Sequence, residues 1–91
     1  MDLKEAIALA KQNVRDVFAE ERITDVGLEE VEFDDASKNW LITIGFSRPW
    51  ENARIAGVTA EMFPKKRDYK VVRISDSDKK VQSIKNREPV S

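Results

Sequence analysis

Residues 3–18 read LKEAIALAKQNVRDVF, and the placement of apolar side chains in this stretch decides the fold. Leu3, Ile7, Ala10, Val14, Val17 and Phe18 follow at steps of 4, 3, 4, 3 and 1, the stripe of an amphipathic helix. Asp2 is placed to cap the first turn through its carboxylate, with Glu5 at capping-box distance. Lys4, Lys11, Gln12, Arg15, Asp16 and Glu20 form the polar face. Ile23-Thr24-Asp25 breaks the period and Gly27 supplies a turn or bulge. The spacing therefore predicts one helix over residues 2–21, which must lay its apolar side on something else.

That something is a sheet. Residues 27–34 alternate, with Val31 and Phe33 opposed to Glu30 and Glu32, as a half-buried strand requires. Leu28 is out of phase with Val31, which predicts a bulge near Glu29-Glu30. Residues 34–39, DDASKN, are turn chemistry. The strand over 40–47 sets Trp40, Ile42, Ile44 and Phe46 against Leu41, Thr43, Gly45 and Ser47. A third strand covers 68–75, with either Val72/Ile74 or Tyr69/Val71 inward. After the turn Asp76-Ser77-Asp78-Lys79, a fourth strand covers 80–86. Its Val81 and Ile84 fall on opposite faces unless it too is bulged. Pro89 begins a frayed tail.

The order is α-β-β-insert-β-β, with residues 48–67 as an insertion between the second and third strands. One apolar helical stripe and one apolar sheet face must cover each other, which makes a two-layer α+β domain. The short turns make the strands antiparallel hairpins, and a meander is the simplest order. The expected core holds Leu3, Ile7, Ala10, Val14, Phe18, Val31, Phe33, Trp40, Ile42, Ile44 and Phe46, with one face of the third strand.

Size and composition bound the function. A chain of 91 residues is one domain, and burial of about 60–68% of its unfolded surface permits a core with little apolar area to spare for an enclosed pocket. A hydrophobic content of 41% with a net charge of −1 excludes a disordered chain. With no histidine and no cysteine, disulfides, thiolate nucleophiles, imidazole bases and the usual zinc sites are excluded. No signal-peptide core and no membrane-length apolar run occurs, so a cytoplasmic location is expected. Residues 1–46 carry five Lys/Arg against eleven Asp/Glu, whereas 47–91 carry eleven against six. Such a split makes a dipole unless sheet pairing intermixes the halves, and intermixing is the expectation.

Several stretches taken together resemble the PepSY-like domain family. They are the helix AIALAKQNV (6–14), the acidic-apolar strand LEEVEFDD (28–35), the aromatic-led strand NWLITIGF (39–46) and the final hairpin YKVVRISDSDKKVQSI (69–84). The resemblance covers most of the chain outside 48–67 and is one of element pattern rather than signature motif. It implies a non-catalytic binding module of inhibitory or chaperone-like type. The absence of an export signal and the long insertion depart from that family, so neither its location nor its partner carries over.

Candidate sites are few. Asp34-Asp35 is a carboxylate pair, but neighbours in a turn point apart and nothing raises one pKa for acid–base work. Asp76 and Asp78 resemble the first ligands of a calcium loop that lacks its glycine and distal glutamate, and an Asx-type turn is the simpler reading. No metal and no cofactor is expected. Lys65, Lys66 and Arg67 with Tyr69 and Lys70 form the best nucleic-acid candidate, which Arg73, Lys79, Lys80, Lys85 and Arg87 would extend. The net acidic balance and the lack of glycine-rich aromatic signatures weigh against it. Trp40 is in phase with the core. Trp50 joins Ile55, Val58, Met62 and Phe63 in the insertion, where Ile55, Val58, Thr59 and Met62 have helical spacing. This segment either covers Leu41 and Val71 on the open sheet face or exposes an aromatic-aliphatic patch for a partner. The expected function is a small non-catalytic protein-binding module, of inhibitor or immunity type. Its partner is another protein or a second copy of the chain in a homodimer. Nucleic-acid binding through the basic residues is the alternative.

Overall fold

The computed structural model of the chain describes residues 1–48 and 67–87. Helix α1 (Leu3–Val17) is followed by a 3-10 turn (Ala19–Glu21) and strands β1 (Thr24–Asp34), β2 (Asn39–Ser47), β3 (Asp68–Ser75) and β4 (Val81–Asn86). The strands form one antiparallel sheet in the order β1-β2-β3-β4, and α1 packs on one of its faces. This is the two-layer α+β meander that the patterning predicts.

Asp2 caps α1 as its position requires, its Oδ1 accepting the Glu5 N–H at 2.8 Å. The helix is shorter than residues 2–21. Its last turn tightens into the 3-10 segment, and Arg22 at φ 53° turns the chain towards β1. β1 starts at Thr24 rather than Gly27 and carries the expected irregularity, a register shift between Leu28 and Glu30. β4 is bulged as well. Ile74 pairs with Val81 and Arg73 with Ser83, so Gln82 is the extra residue. That one residue brings Val81 and Ile84 opposite Ile74 and Val72, the buried members of β3.

The core corrects the expected helical stripe. Ala6, Ala10 and Val14 are fully buried with Ile42, Ile44, Phe46, Val72 and Ile74, whereas Leu3 is 45% and Val17 57% exposed. Ile7 sits on the flank, half-buried. Alanine spaced four residues apart lets the helix backbone settle close to a sheet face made of bulky β-branched and aromatic side chains. Leu3 and Val17 belong to the first and last turns, at the ends of this contact. Phe33, expected in the core, is 37% exposed, and Trp40 is only partly buried. The two rings pack edge to face at 5.0 Å. The helix packs mainly on β1 and β2, so Leu28 and Phe33 stay half-exposed on a strand that it does contact.

The charges of the two halves intermix, as expected: Arg48 pairs with Glu21, Arg67 with Glu29 and Lys79 with Glu5. β1, at one edge, contains Asp25, Glu29, Glu30, Glu32 and Asp34 and no base; beside the other edge stand Lys79, Lys80, Lys85 and Arg87. If the alanine line sets the helix-to-sheet distance, Ala10→Leu lowers unfolding free energy by about 1–3 kcal/mol in urea melts, by overpacking. Leu3→Ser should shift it by less than about 0.5 kcal/mol. The reverse ranking would restore the stripe read from Leu, Ile and Val.

Candidate functional site

Trp50, Ile55, Val58, Met62 and Phe63, together with Lys65 and Lys66, lie outside the described residues. The remaining basic candidates are split by strand alternation. Tyr69 pairs with Gly45 and shares the face away from α1, where the Arg87 guanidinium stacks on its ring at 4.0 Å. Lys70 pairs with Ile44 and shares the helix face, where its ammonium bonds Asn86 and lies 5.7 Å over the Phe18 ring. Arg67 belongs to neither row. It pairs with Glu29 at 3.5 Å, donates to the Asp25 carbonyl at 3.1 Å, and lies across Gly45. A Cβ on Gly45 would stand 2.8 Å from an Arg67 nitrogen, so this glycine is the floor of that ion pair.

A second arginine closes the C-terminal end of the core. Arg48 stacks over Phe18 and Phe46 at 5.5 and 5.4 Å, bonds Asp68 at 2.6 Å, and pairs with Glu21. It ties the 3-10 turn to β3 and thereby fixes how the chain leaves the helix. The planar guanidinium suits this place, because it stacks on rings and bonds carboxylates in its plane at once.

The turn carboxylates are structural. Asp34 accepts the Ser37 hydroxyl at 2.8 Å and the Ala36 N–H at 3.1 Å, while Asp35 turns to Lys38 at 2.7 Å. The Ser37 bond, with backbone donors and the Arg73 charge, holds the Asp34 carboxyl below its ordinary value, the opposite of what a general acid needs. Asp76 accepts the Trp40 indole N–H at 3.0 Å, and the Asp78 N–H donates to the Ser75 hydroxyl at 3.3 Å. Among the described residues no group of acids is arranged to hold a metal ion. No described helix is long and apolar enough to cross a membrane.

The remaining feature is a surface that sequence reading had treated only as the polar side of the helix. Lys4, Ile7, Ala8, Lys11, Gln12 and Arg15 line an open trough of about 360 Å³ on one flank of α1. The other flank carries Glu5, bonded to Lys79 of the β3–β4 turn at 3.3 Å, and Asp16, bonded to Gln12 at 2.8 Å. Glu5 thus fixes the acidic flank towards β4, and the basic flank stands over β1. There Leu28 and Phe33, which pair with Ile44 and Trp40 on the helix-facing side, remain 39% and 37% exposed. A helical wheel shows the separation of cations and acids; the exposure of Leu28 and Phe33 is visible only in the packed fold.

Compared with known proteins, the chain matches no protein-family model, no curated protein and no solved structure.

The Trp40–Asp76 bond yields a pH test. The indole bond, with the Met1 ammonium at 3.5 Å, holds Asp76 below its ordinary value of 3.8. A native pKa below the unfolded one stabilises the fold fully above that ordinary value. The contribution is lost as pH falls below it towards the native pKa. The Trp40 indole N–H resonance should therefore titrate with a midpoint below 3.8. A midpoint at or above that value would remove the bond as the cause.

Proposed function

We propose that this chain is a small, non-catalytic protein-binding module of inhibitor or immunity type, acting in the cytoplasm. The observation that carries the reading is the partly uncovered edge strand. Leu28 and Phe33 remain exposed on the helix-facing side of β1, beside an open trough on α1. Exposed apolar side chains next to an open sheet edge suit a protein surface. The insertion adds Trp50, Ile55, Val58, Met62 and Phe63, of which the aromatic and Met types are enriched at protein interfaces. The resemblance to PepSY-like domains supports the same class of function.

Nucleic-acid binding through Lys65, Lys66, Arg67, Tyr69 and Lys70 is the second reading. Against it, Tyr69 and Lys70 lie on opposite faces and Arg67 is paired with Glu29, so these groups do not form one phosphate-tracking row.

Size-exclusion chromatography with light scattering, and capture of partners from the native host, should show either a homodimer or a stable complex with another protein. Trp50→Ala combined with Phe63→Ala should abolish it. A double variant that keeps its oligomeric state and every partner contact would refute the role of the insertion. Oligonucleotide binding that falls steeply with salt would move the reading to the alternative.

A further inference from the structure

Lys4, Lys11 and Arg15 raise a question of electrostatics. About 100–140° round the helix from Ala10, all three project from the same flank, over a strand that contains five carboxylates. Among the described residues Glu29, Glu30, Glu32 and Asp34 make no ion pair with these cations, because their side chains are on the other side of the sheet. The register sets Glu30 against Thr43 and Glu32 against Leu41, on the face away from α1, and Glu29 is held there by Arg67. The helix-facing side of β1 presents Leu28, Val31 and Phe33 instead. The result is a row of three cations beside a half-exposed apolar strip, open at the outer edge of β1, where none of the described strands pairs.

We propose that this trough docks an acidic, extended segment of another protein, bound along the outer edge of β1 with its carboxylates on Lys4, Lys11 and Arg15. The inference rests on the protein-binding reading and names the chemistry of the partner. The row from Lys4 to Arg15 runs about 16 Å along the helix, the length of about five residues of extended chain. A strand alternates its side chains, so residues facing the helix must be acidic at the two ends and apolar between, meeting the cations and Leu28 or Phe33. Residues facing away meet Glu30 and Glu32 and must be uncharged or basic. The apolar strip between the cations favours a peptide over a nucleic acid, which would present phosphate without apolar side chains.

The test uses the full chain and a fluorescein-labelled synthetic peptide in which Glu, Leu and Glu alternate with Thr, read by fluorescence anisotropy. The trough should bind this peptide at least about tenfold more tightly than a shuffled peptide of the same composition or oligo-Glu. Charge reversal in K4E/K11E/R15E should weaken binding by at least about tenfold, with circular dichroism unchanged. The equally charged variant R22E/K80E/K85E should stay within about twofold, since it alters only the overall field. If helix reversal disturbs the fold, L28S/F33S supplies the second arm and should also weaken binding.

Equal losses in both charge-reversal variants would make the effect one of net charge and overturn the docking surface. So would wild-type binding that ignores the order of acids, equal binding of a single-stranded oligonucleotide, or no binding at all. A cellular partner that depends on Trp50 and Phe63 but binds K4E/K11E/R15E unchanged would overturn this inference and leave the broader reading standing. Failure of both sets of variants to affect any protein contact would remove both.

Discussion

The close approach of α1 to the sheet, along the line Ala6, Ala10 and Val14, is the constraint on which the structure depends. Those three residues are completely buried with Ile42, Ile44, Phe46, Val72 and Ile74. The line is narrow. Small side chains on the helix admit large ones from the sheet, and the interdigitation fills the volume between the layers. Trp40, Phe18, Val31, Val81 and Ile84 then close the perimeter as partly buried neighbours. Two polar ties hold the ends, Trp40 to Asp76 at one and Arg48 to Asp68 and Glu21 at the other.

The exposed surface follows from the same constraint. The helix lies mainly over β1 and β2, and Leu28 and Phe33 on the inner face of edge strand β1 remain half-exposed beside it. The sequence places its acids on the outer face of that edge strand and its cations on the near flank of the helix. They are close in the fold yet divided by the sheet.

Much of this was legible in the sequence. The helix, the four strands, the turn residues and both bulges could be read from periodicity. Leu28 against Val31, and Val81 against Ile84, each break a period of two and each mark an irregular register in the structure. Ala10 and Val14 of the expected stripe are buried, but Ala6 was passed over because Leu, Ile and Val carry more apolar weight than Ala. In a helix lying close to a sheet, the smallest residue can occupy the most buried position.

The candidate site was less legible. Lys4, Lys11 and Arg15 were visible as polar-face residues, but their isolation from the β1 carboxylates depends on which face each glutamate takes across a bulge. Exposure of Leu28 and Phe33 depends on how the helix sits on the sheet, which no local pattern encodes. The most direct check on the central packing is a methyl-detected NOE experiment. The packing predicts cross-peaks from the Ala10 and Val14 methyls to methyls of the buried sheet residues Ile42, Ile44 and Val72. Contacts to those sheet residues from the Ala8 methyl instead, with none from Ala6 or Ala10, would contradict it.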